Sequence, residues 1–145
     1  MAVESLTAQE LAERCAEVLM QRDDASRHLQ MNVESVSPGT ATITMSVQDY
    51  MIQGHGSCHG GYIFSLADTA FAFACNTYNK VTVAQGCSIE YVKPGKLGDT
   101  LRASCCEVSR GRRTGVYDVC VENQEGLIIA VMRGKSYQLG TALLS

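Results

Sequence analysis

From Ala41 to Val47 the chain alternates strictly: Ala41, Ile43, Met45 and Val47 are apolar, while Thr42, Thr44 and Ser46 carry hydroxyls. A period of two belongs to a strand with one face buried and the other wet. Pro38-Gly39 just before it is turn chemistry, so residues 31–36 and 40–48 are predicted to pair as a hairpin. Upstream the period differs. Leu11, Cys15, Val18 and Leu19 recur at helical intervals, and Thr7 with Glu10 has the spacing of a capping box. This predicts a helix over 7–23, with the polar stretch Arg22–Arg27 as a connection. Downstream, Tyr62–Cys75 is apolar almost all round, the pattern of a buried helix. It is entered through a glycine- and histidine-rich loop, Gln53–Gly61. Four strand-like segments follow at 81–91, 100–109, 114–122 and 127–138. Pro94-Gly95, Gly98-Asp99, Gly111–Arg113 and Asn123–Gly126 mark the turns between them.

The predicted order is helix, two strands, a buried helix, then four strands, an α+β chain. About six antiparallel strands and one apolar helix bury that helix only if the sheet wraps around it. At 145 residues there is room for one domain with a real core. Hydrophobic residues make up 46% and charged residues 19%, a globular composition. The formal charge of −3 argues against nucleic-acid binding, so an anionic ligand must be met by local cations. No signal-like opening and no apolar run near the ~20 residues of a membrane span is present, so no membrane role is expected. The seven cysteines are scattered without paired spacing, which fits free thiols in a reducing cytoplasm better than a disulfide framework.

Two places carry candidate chemistry. Gly60 and Gly61 stand where the buried helix begins, and a helix start offers unpaired N–H groups and a positive dipole. Without Cβ they admit a ligand carbonyl close to the backbone; the alternative is that they only turn the chain. Asp68 is the sole charged residue between Gly60 and Lys80, set among Leu66, Ala67, Ala70 and Phe71. An unpaired buried carboxylate is costly, so a functional demand is the natural reason for one there. The alternative is a solvated stripe with Ser65 and Thr69. His55-x-x-x-His59 with Cys58 between them invites a zinc reading, but no distant ligand pair is evident and no metal is expected. Cys58 beside His59 invites a thiol nucleophile, yet neighbours in sequence need not pair in space. His59 instead orients the loop or the ligand, and His55 either does the same or merely ties the loop down.

The segment Gly54-His-Gly-Ser-Cys-His-Gly-Gly-Tyr-Ile-Phe-Ser-Leu-Ala-Asp-Thr-Ala-Phe-Ala-Phe-Ala74 resembles the PaaI-type thioesterases of bacterial phenylacetate catabolism. Glu90–Leu101, Arg112–Asp118 and Arg133–Ser136 extend the likeness over residues 28–140, leaving 1–27 as an N-terminal helix and connection and 141–145 as a tail. The resemblance implies a hotdog fold, an antiparallel sheet of about six strands around one long helix. It implies hydrolysis of aryl-acetyl-CoA thioesters, hydroxylated ones included, with no cofactor beyond the CoA of the substrate. It further implies a homotetramer built from dimers, with active sites at the dimer interface. His59, Gly60 and Asp68 fall on the family's working positions, and Gln53 stands where the family commonly has Asn.

Eight residues separate Gly60 from Asp68, about 12 Å at the helical rise. An Asp side chain cannot reach back that far, so if both serve one thioester, Asp68 must come from a second subunit. Thr69 and Gly61 are expected to touch the substrate. Lys93, Arg112 and Arg113 are expected to meet the CoA phosphates, the arginines because they share a turn. Tyr62, Phe64, Phe71 and Phe73 either line an aryl pocket or belong to the core. Competing readings are a thioesterase for short or medium aliphatic acyl-CoA, a hotdog hydratase, which would want a helix histidine this chain lacks, and a non-catalytic acyl-CoA-binding protein.

Overall fold

The computed structural model describes residues 2–145. Helix α1 spans Ala8–Arg22 and begins with the anticipated capping box: Thr7 Oγ1 accepts from the Glu10 N–H at 3.1 Å, and Glu10 Oε1 accepts from the Thr7 N–H at 3.0 Å. The stretch read as a connection is instead a second short helix, α2, Asp24–His28. Asp23 ends one helix and caps the next, which is why a polar sequence without apolar periodicity stays helical.

The strands are β1 (Asn32–Ser37), β2 (Thr40–Ser46), β3 (Thr82–Tyr91), β4 (Thr100–Arg110), β5 (Thr114–Glu122) and β6 (Ile128–Gln138). They form one antiparallel sheet in the order β1-β2-β4-β5-β6-β3. Helix α3, Gly60–Cys75, lies in the curve of that sheet. Ile43, Met45, Leu101, Ala103, Tyr117, Val119 and Val121 project from β2, β4 and β5 onto Leu66, Ala67, Phe71 and Phe73. The ring of Phe71 lies so close to β6 that a Cβ on Gly134 would sit 2.7 Å from it. Phe71 and Phe73 are therefore core, and neither opens onto a cavity.

α3 is not buried all round. Ile63, Leu66, Ala67, Ala70 and Phe71 face the sheet, while Ser65, Asp68, Thr69 and Ala72 form a stripe that is only half covered. The tail packs on the body of the protein. Leu143 and Leu144 are buried against Cys15 of α1, and the Leu144 N–H donates to Asn79 Oδ1 at 2.6 Å. The two chain ends thus pack on one another outside the sheet. β3, placed last in the strand order, is a sheet edge whose ten residues are mostly exposed.

Candidate active site

The start of α3 is held by the loop before it. The His59 N–H donates to the Met51 carbonyl at 2.7 Å and the Cys58 N–H to the Gly95 carbonyl at 2.8 Å. His59 is the N-cap residue, and its Nδ1 accepts from the Gly61 N–H at 2.9 Å. An accepting Nδ1 carries no proton, so the remaining ring proton sits on Nε2. Of the two glycine amides singled out in the sequence, Gly61's is therefore occupied. The Gly60 N–H finds no acceptor among the described residues and is the free donor at the positive end of the helix. Tyr91, at the end of β3, donates its hydroxyl to the Gly60 carbonyl at 3.0 Å. In the sequence Tyr91 is simply the last residue of the strand-like segment 81–91, and only the fold brings it to the glycine.

Two cavities flank this point. One of about 450 Å³ is lined by Gln53, Ser57, Gly60, Tyr91 and Lys93. The other, about 410 Å³, is lined by Tyr50, His59, Gly61, Tyr62 and Ser65. A larger groove of about 700 Å³ runs between α1 and β1. It holds neither a helix start nor any of the loop residues, and is no match for the chemistry here. Both ends of the Gln53 amide are spent within the loop: Nε2 donates to Ser57 Oγ at 2.7 Å, and Oε1 accepts from the His55 N–H. The His55 side chain is exposed.

Asp68 sits on the half-covered stripe of α3 without an ion pair or hydrogen bond to the described residues. Burial raises its carboxyl above the ordinary range, and the charge of Asp23 adds to the rise. Among the described residues no cation opposes this. The carboxylate is desolvated on one side and open on the other, between the buried setting and the solvated stripe that the sequence allows. Thr69 Oγ1 turns back to the Ser65 carbonyl at 2.7 Å.

The cations are divided. Lys93 is beside Gly60. Arg113 gathers with Lys80 and Arg110 around the other end of the sheet, where Arg110 lies 3.5 Å over the ring of Tyr78. Along β3 that end is nine residues from Tyr91, about 30 Å at the usual strand rise. Arg112 and Arg113 are therefore not beside the Gly60 of their own chain. Cys58 is buried, and burial followed by the charge of Asp99 pushes its thiol up to about 11. Among the described residues no three His, Cys, Asp or Glu side chains gather in a way that could hold a metal ion.

The wrapped sheet and its central helix have close counterparts among known proteins. The family model described as Thioesterase superfamily matches residues 55–130. The chain belongs to the thioesterase superfamily. It is a thioester hydrolase with the hotdog fold. It is 43% identical over 125 residues to the acyl-coenzyme A thioesterase PaaI of Escherichia coli, covering 86% of this chain and 89% of that one. A structure of the E. coli PaaI protein from the phenylacetic acid degradation operon superposes with a TM-score of 0.92 at 40% identity, over 94% of this chain and 99% of the other. A Streptococcus mutans protein bound to acetyl-CoA superposes at 0.75 with 34% identity, over 77% and 90%. The family match begins at His55 and so takes in His59, Gly60 and Asp68 but neither α1 nor α2.

Proposed function

We propose that the chain hydrolyses aryl-acetyl-CoA thioesters, phenylacetyl-CoA or its hydroxylated derivatives, to the free acid and CoA. The work is done in the cytoplasm by a dimer with shared active sites, two dimers making a tetramer. The observation that carries this reading is the pairing of a free Gly60 amide with a half-open, basic Asp68 about 12 Å along the same helix. The substrate carbonyl accepts from Gly60 of one subunit. Asp68 of the other takes a proton from water as the water oxygen bonds to the carbonyl carbon. The tetrahedral oxyanion collapses, the C–S bond breaks, and the CoA thiolate leaves with the proton that Asp68 held. No metal or organic cofactor takes part. His59 holds the helix start in register, Gln53 holds the loop in front of it, and Gly61 and Thr69 border the substrate.

The edge strand supports the dimer. β3 is ten residues long and open on both faces, with Val83 43% and Tyr91 53% exposed. Long uncovered edges invite pairing with another strand. A second copy along β3 would face its open α3 stripe to the first. Lys93 is the phosphate contact nearest the thioester. Arg112 and Arg113 serve the same CoA only from the partner.

A thiol-release assay over a panel of acyl-CoAs, with wild type and Asp68→Ala, tests the reading. Fastest turnover on phenylacetyl-type substrates and loss of turnover with retained CoA binding in Asp68→Ala support it. Preference for short or medium aliphatic chains would move the substrate class. No hydrolysis of any substrate by the wild type would leave an acyl-CoA-binding protein. Incorporation of ¹⁸O into Asp68 in a single turnover in labelled water would replace the base by a nucleophile.

A further inference from the structure

Asp68 has a second carboxylate on its flank, and that carboxylate is built in. Asp23 stands at the junction of α1 and α2. Its Oδ1 accepts from the Ser26 N–H at 2.9 Å, and its Oδ2 accepts from the Ser26 hydroxyl at 2.6 Å. Ser26 is 2% exposed, and its carbonyl takes the Met31 N–H at 3.0 Å, so the turn is fixed from both sides. Ser26 Oγ lies 3.4 Å from Oγ1 of Thr69, the residue after Asp68. A hydroxyl has one hydrogen to give. Ser26 has given its own to Asp23 and Thr69 gives its own to the Ser65 carbonyl at 2.7 Å, so across that gap the two hydroxyl oxygens meet as a close polar contact.

We propose that Asp23 is a positioning residue of the Asp68 site: through the Ser26 hydroxyl it holds Thr69, and it stands a fixed negative charge against the helix flank that carries Asp68. The inference rests on the reading of Asp68 as the base. A plain cap for a five-residue helix would need only the bond to the Ser26 N–H. It would not need a buried hydroxyl bridging to the next helix. The consequence is electrostatic. A like charge nearby disfavours ionisation, which raises the basicity of Asp68 and brings a general base closer to working pH. The other ionisable groups that bear on Asp68 are the thiols of Cys75 on its own helix and Cys87 on β3. Burial raises both, Cys75 to about 12, so both are neutral near pH 7. Asp23 is the charged neighbour.

Asp23→Asn removes the charge and keeps the cap on the Ser26 N–H. Its amide nitrogen cannot accept from the Ser26 hydroxyl, so Ser26→Ala is the control that separates the charge from that bond. The acid limb of kcat/KM for acyl-CoA hydrolysis is expected to move to lower pH, with kcat at neutral pH reduced several-fold and KM little changed. Asp23→Glu keeps the limb where it was. Ser26→Ala keeps the charge and cuts the bridge, lowering kcat without moving the limb. Carbon-13 NMR of the Asp68 carboxyl, assigned with Asp68→Asn, reads the same coupling without turnover: its midpoint falls in Asp23→Asn. An unmoved limb and an unmoved midpoint in Asp23→Asn overturn the proposal and leave Asp23 a cap. If instead the wild type cleaves no acyl-CoA, or Asp68→Asn is fully active, the function reading fails while the NMR midpoint still reports on Asp23.

Discussion

Tyr91 and Gly60 fit each other twice: the phenol donates to the glycine carbonyl at 3.0 Å, and its Cζ stands 2.9 Å from where a Cβ on residue 60 would be. Tyr91 thus gives Gly60 one reason to lack a side chain, and the proposed approach of the substrate carbonyl would give it a second. Gly60→Ala alone is expected to lose activity for both. Gly60→Ala with Tyr91→Ala removes the ring and isolates the second reason. The Gly60→Ala change keeps the N–H, so if the bare backbone is what lets the substrate carbonyl reach that amide, the double variant regains fold stability but not rate, because the Cβ still blocks the approach. Thermal melting and thiol release on the three variants decide it, and recovery of rate in the double variant would reduce Gly60 to a packing residue.

The composite site makes a sharper prediction. Asp68→Ala keeps an intact Gly60, and Gly60→Ala keeps an intact Asp68. In a mixed dimer one site unites the two good halves, and its mate unites the two bad ones. Co-expressed and randomly paired, the two inactive variants should return about a quarter of wild-type specific activity. Sites contained in single chains would give no rescue at all.

Much of this was legible beforehand, for identifiable reasons. The strict alternation at Ala41–Val47 and the glycine-led apolar run at 60–75 fix β2 and α3, because each period permits one element. α2 was not legible, since Asp23–His28 has no apolar period and its helix depends on a side-chain cap. The open stripe on α3 was legible only as one of two alternatives, a solvated stripe of Asp68 with Ser65 and Thr69. The pattern alone could not choose it over a fully buried helix, because only the sheet shows which face is covered. Arg112 and Arg113 were picked as a local cluster of charge, but sequence proximity carries no information about which end of a 30 Å sheet a turn occupies. Tyr91 shows the same gap from the other side, as a site neighbour 31 residues from Gly60.

Asp68 should cost the fold stability. Its carboxyl is raised in the folded chain from 3.8, chiefly by burial. The native state then holds that proton to higher pH than the unfolded state does, so stability falls as pH rises from 3.8 through the raised value. Asp68→Asn, which cannot ionise, should melt at a higher temperature than wild type at pH 7, with the gap closing as pH falls toward 3.8. A gap of the opposite sign at pH 7 would mean that the carboxylate gains a stabilising partner in the assembled dimer.

Cys58 lies beside the N-cap histidine, but its thiol is buried and raised to about 11. A thiol in that state is almost wholly protonated at pH 7 and a poor nucleophile. Cys58→Ala should keep kcat within a few-fold of wild type, and iodoacetamide at pH 7 should leave Cys58 unmodified while the exposed Cys106 reacts. A fall of 10³-fold or more, of the size expected for loss of a nucleophile, would return the thiol to consideration.

Lys93 and the arginine turn can be told apart by what the substrate carries. Lys93 lines the cavity beside Gly60, whereas Arg113 borders a different one at the far end of β3. A lysine that meets a CoA phosphate contributes binding to ground and transition state alike, so Lys93→Ala should raise KM and spare kcat. The effect should vanish with the corresponding acyl-pantetheine, which lacks the nucleotide phosphates. Arg112→Ala and Arg113→Ala should follow the same pattern only if the partner brings that turn to the CoA. In the mixed dimer described above, placing either arginine change on the Asp68 subunit would then raise KM, and placing it on the Gly60 subunit would not. Equal effects from both placements would mean that the arginines act on the field of the whole surface rather than on a bound phosphate.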